Sequence, residues 1–159
     1  MAATDEDGYL GNPLLKPAGA LTEWTEDTIS EYVKCSQDPL YFVKTYVKIV
    51  HVDHGLVSFD LYPFQEKMID SFHDNRFSIA KLPRQSGKTT TVCAYFLWYI
   101  LFNEDVNIAI LANKGSLARD ILGRLQLAYE NLPKWLQQGI KVWNRGDIHL
   151  ENGSKVVAA

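Results

Sequence analysis

Residues 81–90 read KLPRQSGKTT, and the fold turns on whether Gly87-Lys88-Thr89-Thr90 closes a phosphate-binding loop. The usual P-loop is a glycine, four residues, then Gly-Lys-Ser/Thr. Counting back from Lys88 puts Leu82 where the first glycine is expected. That position begins the loop and needs only a β-region backbone, which Pro83 imposes on the residue before it. The other positions have distinct jobs. Gly87 lets the backbone turn close to phosphates so that successive N–H groups face their oxygens. Lys88 brings a point charge to the β- and γ-phosphates, and Thr89 offers a hydroxyl to Mg²⁺. The helix that follows adds a partial positive charge at its N-terminus. The stretch therefore predicts an ATP site formed by Pro83, Arg84, Gln85, Ser86, Gly87, Lys88, Thr89 and Thr90, with Thr89 as the metal ligand.

A Gly-Lys-Thr tripeptide is weak until its surroundings fit. RFSIAKL (76–82) reads as a strand, KTTTVCAYFLWYILF (88–102) as a long apolar helix, and NIAILA (107–112) as a second strand. Ser116 is placed to cap an amphipathic helix through Asn131 carrying Leu117, Ile121, Leu125 and Ala128. Strand, glycine loop, helix, strand is the context a P-loop needs. The fold class is α/β: a P-loop NTPase core of the RecA/ASCE kind with a parallel sheet, preceded by a helical segment. In the tail, IKVWNRGDIHLENGSKVVA (140–158), two turn signals separate short β-prone runs, which predicts a meander or hairpin.

Upstream, residues 1–20 mix Gly, Pro, Ala and acidic residues without periodicity and read as a flexible arm. Residues 21–75 read as a helical segment on the adenine side. Thr25 caps a helix with an Ile29, Tyr32, Val33 stripe, and Asp38-Pro39 opens a second one. IVHVDHGLVSFD alternates on both sides of Asp53-His54-Gly55, as two strands around a turn do. A third helix starts at Pro63, with Phe64, Met68, Ile69 and Phe72 inward. Residues 76–159 are then a partial P-loop ATPase domain. The final Ala158-Ala159 falls inside a β-like run, as if the chain stopped mid-domain.

Composition sets limits. The net charge of −3 advertises no general affinity for nucleic acid. The longest apolar run, Val92–Phe102, is far short of the about 20 residues that cross a bilayer, so no membrane is expected. Cys35 and Cys93 have no metal-ligand spacing and read as reduced thiols. His51 and His54 read as surface histidines on a strand and turn.

Two residues sharpen the chemistry. Arg84 inside the loop is placed to reach the γ-phosphate as an arginine finger supplied in cis, or is a solvated loop arginine. Gln65 has an amide that can donate to adenine N7 and accept from the N6 amino group, with Tyr62 and Phe64 flanking the base; alone, it would read as a surface residue. No apolar run after the loop ends in the acidic pair that hydrolysis requires.

EWTEDTISEYVKC, DPLYFVKTYVKIVHVDHG, YPFQ, PRQSGKTT, ILANKGS and VWNRGDIHLENGS, in that order, resemble the N-terminal ATPase region of the large terminase subunit of contractile-tailed bacteriophages. The resemblance covers nearly everything after residue 20. It implies an ATP-driven motor that threads double-stranded DNA through a portal into a procapsid. It also implies a portal protein and a small terminase subunit as partners, a motor oligomer when full-length, and a place in the host cytoplasm with transient docking at the procapsid. In that family the loop carries an arginine and lacks its first glycine. The resemblance makes Arg84 the cis arginine sensor, Lys88 the catalytic phosphate lysine, Thr89 the Mg²⁺ ligand and Gln65 the adenine contact. Asp60 stands where some members carry a second polar adenine contact, and an acid there departs from the pattern. A complete member continues into an acidic hydrolysis strand and a nuclease domain, so the chain reads as a fragment inactive in hydrolysis alone. The alternatives are a piece of a helicase or restriction-type translocase, whose loops usually keep the first glycine, and a non-catalytic nucleotide-binding remnant.

Overall fold

The computed structural model describes residues 8–159. Its centre is helix α4 (Lys88–Phe102), whose side chains are apolar on nearly every side. A helix of that kind must be covered all round. The cover comes from α2 (Pro39–Tyr46), α3 (Pro63–Asp74) and α5 (Gly115–Glu130). Helix α1 (Glu26–Gln37) joins the same cluster through Cys35, whose carbonyl accepts the Trp98 indole N–H at 2.8 Å.

The helix starts follow local chemistry. Thr25 caps α1, and its hydroxyl and that of Thr28 exchange bonds with each other's backbone N–H. Asp38 caps α2 with Pro39 in the first turn, as the sequence predicts. The Tyr41 and Tyr46 hydroxyls both donate to the Glu31 carboxylate and tie α1 to α2. Those two bonds hold its carboxyl below the usual range. Helix α4 ends where Asn152 donates to the carbonyls of Ile100 and Asn103.

The strands form two separate sheets. β1 (Lys48–His51) and β2 (Gly55–Ser58) make the expected hairpin around the 52–54 turn. β3 (Asn107–Ile110), β4 (Ile140–Trp143), β5 (Asp147–Leu150) and β6 (Lys155–Ala158) form a sheet ordered β3-β6-β5-β4. Only β3 and β6 run parallel; β4, β5 and β6 are the antiparallel meander that the two turn signals announce. The sheet is therefore mixed, not the parallel sheet expected from the strand-loop-helix-strand order.

Three further expectations are corrected. Residues 76–82 form no strand; Phe77 is 83% and Ile79 99% exposed, and the segment pairs with no strand among the described residues. Ser116 does not cap α5, because the helix already begins at Gly115 behind Lys114. Of the Ile29, Tyr32 and Val33 stripe of α1, only Tyr32 packs on the core, its ring 5.1 Å from that of Phe102; Ile29 and Val33 face solvent, and Cys35 adds the fully buried contact.

Residues 8–20 also differ from the flexible arm expected over 1–20, the first seven of which lie outside the described residues. Leu15, Lys16 and Pro17 are buried, and Pro17 bridges to Ile140 at the edge of β4. Gln137 holds this segment in place. Its amide oxygen accepts the Lys16 N–H at 3.0 Å, and its nitrogen donates to the carbonyls of Leu14, Tyr129 and Leu132. Both thiols are buried and free; burial pushes Cys35 up to about 12 and Cys93 up to about 11.

Gln137→Ala strips the partners from several backbone groups around a residue that is 3% exposed. It is expected to lower stability by about 2–4 kcal/mol in urea unfolding.

Candidate functional site

The 82–89 loop owes its shape to two left-handed residues. Gln85 sits at φ +60 and Gly87 at φ +72, with Ser86 between them. The Ser86 hydroxyl donates to the Pro83 carbonyl at 2.9 Å and closes the turn. Gly87 is the N-cap of α4, and no side chain caps the helix there. The first-turn N–H groups of α4 are thus left to an outside acceptor. Thr91 anchors the start from within, both its N–H and its hydroxyl bonding the Gly87 carbonyl at 2.9 Å. The Lys88 ammonium donates to the Leu82 carbonyl at 3.4 Å, across the base of the loop.

Gln65 locks this loop to α3. It is 3% exposed, accepts the Tyr62 N–H at 2.9 Å and donates to the Ser86 carbonyl at 3.2 Å. These bonds use one lone pair and one N–H, so the amide keeps one acceptor direction and one donor. A Cβ on residue 87 would lie 2.6 Å from the Gln65 amide nitrogen. The positive φ favours glycine there, and a side chain would also push the Gln65 amide away.

Above the loop lies an open cavity of about 670 Å³. Pro83, Gln85, Ser86, Gly87 and Thr90 line one side, and Gln65 lies beside them. Asp60, Leu61, Tyr62 and Phe64 line another, and the hairpin residues Ile49, His51 and Val57 close a third. Tyr62 and Phe64 stack on each other, rings 5.9 Å apart and 7° from parallel, so the two form one slab.

The predicted site residues divide. Gln65, Pro83, Gln85, Ser86, Gly87 and Thr90 share the cavity wall. Lys88 and Thr89 stand at the start of α4 off that wall, and Arg84 is exposed without a hydrogen bond or ion pair among the described residues. The hairpin wall is the part that the sequence reading missed. Its alternation was visible, with Ile49 and His51 on the same face, but nothing in it said which element that face meets. A second cavity of about 450 Å³ adjoins the first, with Ile49 and Thr90 lining both. Arg124 of α5 lines it and donates to the Thr90 hydroxyl at 3.3 Å. Among the described residues no cluster of three or more His, Cys, Asp or Glu side chains is placed to hold a metal ion, and no helix is long and apolar enough to cross a membrane.

Fold and site define an α/β domain in which a glycine loop opens a buried helix beside a cavity. The family model described as terminase large subunit, T4likevirus-type, N-terminal matches residues 79–159. The chain belongs to that family, whose members are large subunits of the bacteriophage DNA-packaging terminase. The matched span begins just before the loop and runs through the meander; Gln65 and the hairpin precede it.

Gln65→Leu would leave the Tyr62 N–H and Ser86 carbonyl without their partner. The expected result is a loss of about 1–3 kcal/mol in thermal or urea unfolding, with faster amide exchange in the 82–89 loop.

Proposed function

We propose that this chain is the ATP-binding part of a large terminase subunit, whose nucleotide site powers translocation of double-stranded DNA into a procapsid. The observation that carries the reading is the left-handed Gly87 opening an uncapped α4, with Lys88 as the first helical residue. That is the arrangement an anion at a helix N-terminus uses: N–H groups facing outward, a favourable dipole and an adjacent ammonium. The loop is then a P-loop whose first glycine is replaced by Leu82.

In this reading the phosphates lie against residues 84–90 and the nucleoside occupies the cavity. Lys88 exchanges its bond to the Leu82 carbonyl for the β- and γ-phosphates, which a charged acceptor favours. Arg84, exposed and without a partner among the described residues, is available to swing onto the terminal phosphate as charge develops there. Gln65 offers its remaining donor and acceptor to the adenine edge while it keeps hold of Ser86. The Thr89 hydroxyl would hold Mg²⁺ as its protein ligand, and the ion would supply positive charge beside the phosphates. In this reading its partners are double-stranded DNA, a portal protein and a small terminase subunit.

Isothermal titration with Mg-ATP tests this reading. Lys88→Ala is expected to weaken binding by at least about tenfold, or about 1.4 kcal/mol. Arg84→Ala, which acts on transition-state charge, is expected to leave affinity within about threefold. Equal affinity in Lys88→Ala and the unmodified chain would rule the site out.

A further inference from the structure

The four-stranded sheet protects one of its edges and leaves the other open. Residues 16–18 cover β4: the Ile140 N–H donates to the Lys16 carbonyl at 2.9 Å, and the Ala18 N–H to the Ile140 carbonyl at 3.2 Å. β3 is the opposite edge, and its outer side meets no strand among the described residues. On the β6 side, the Val106 and Ile110 carbonyls accept the Lys155 and Ala159 N–H groups. Backbone polar groups alternate sides along a strand, so Asn107 and Ala109 turn theirs to the open edge. The stretch VNIAILA (106–112) has none of the devices that blunt an edge: no proline, no charge, and no bulge in its pairing with β6.

RFSIAKL (76–82) is a strand former that lacks the same thing. Among the described residues, no backbone group of 76–81 makes a hydrogen bond. The segment is tied only through the Ser78 hydroxyl, which donates to the Ser71 carbonyl of α3 at 3.0 Å. Phe77 and Ile79, at alternate positions, would share one face of a strand. On the sheet, Ile108, Ile110 and Val156 turn inward, which leaves Ala109, Leu111 and Val157 exposed on the outer face. Charge agrees with shape. The charged residues of the segment are Arg76 and Lys81, one near each end, and the exposed pair Glu104-Asp105 stands just before β3. A base therefore meets the acidic pair whether the two strands run parallel or antiparallel.

We propose that this chain pairs with a second copy of itself by reciprocal strand addition: residues 76–82 of one copy add to the free edge of β3 in the other, and the second copy returns the contact. Two such contacts are related by a twofold axis, so the assembly closes at two copies. Each contact pairs backbone groups otherwise left to solvent, lengthens the sheet by one strand and gives Phe77, Ile79 and Leu111 apolar neighbours. The segment runs into the 82–89 loop at Leu82, so the partner's edge also steadies the base of that loop. The pairing does not depend on what the loop binds.

Size-exclusion chromatography with light scattering, run on the whole chain over a concentration series, tests the proposal. The unmodified chain is expected to form a dimer that dissociates on dilution, with a Kd of about 1–100 µM. Ile79→Asp changes a side chain with no packing to lose. Ala109→Pro removes an outward N–H at an edge, where proline is tolerated. Each is expected to weaken the dimer by about tenfold or more. Leu111→Asp, at an exposed position beside the same edge, takes the place of Ala109→Pro if urea unfolding shows the proline variant to be unstable. The segment variant and the edge variant damage opposite halves of the contact, so a mixed pair keeps one contact intact. An equal mixture is therefore expected to dimerise more tightly than either variant alone. An unmodified chain still monomeric at about 1 mM, a dimer that Ile79→Asp leaves unchanged, or a mixture no tighter than its parts would overturn the proposal.

Discussion

The burial of α4 is the constraint from which the rest follows. From Thr91 to Leu101 its side chains are buried on almost every turn, so α2, α3 and α5 must enclose it. Its first turn is only half-buried, and Gly87 turns the chain away there in a left-handed conformation. An apolar helix with a bare, positively polarised start is a rigid mount for an anion site. Packing fixes the direction of the helix, and the direction of the helix fixes where its free N–H groups point.

The loop in front of α4 is held by few but specific contacts. Gln85 takes a positive φ that a non-glycine residue adopts at a cost of about 1 kcal/mol or more. The Ser86 hydroxyl and the Gln65 amide bond to the loop's own carbonyls and offset that strain. Gln65 thereby links α3 to the loop. Through Thr90 the same region touches Arg124 on α5, and Ile49 of the hairpin borders the cavities on both sides. A ligand in the main cavity would contact elements from three parts of the chain, a common way for binding to be felt beyond the site.

Features set by neighbouring residues were legible in the sequence. The Thr25 cap, the Asp38-Pro39 start, the limits of α4 and the turns of the β4–β5–β6 meander all follow from local rules. Features that need a distant partner were not. RFSIAKL has the composition of a strand, yet a strand exists only when another pairs with it, and among the described residues none does. Residues 8–20 look like an arm because their composition is poor in regular signals. Their anchor, Gln137, lies more than a hundred positions away, and no local pattern could announce it. Gln65 was found from its place before the loop, but its grip on Ser86 depends on the close approach at Gly87. The hairpin was legible as a hairpin and illegible as a wall.

Hydrogen exchange of the backbone amides, followed by mass spectrometry with and without Mg-ATP, bears most directly on the claim that the uncapped start of α4 receives phosphates. Protection confined to residues 84–91 and, more weakly, to the 49–58 hairpin is the expected result. Unchanged exchange at 84–91 with saturating Mg-ATP, or protection only at sites remote from the loop, would contradict it.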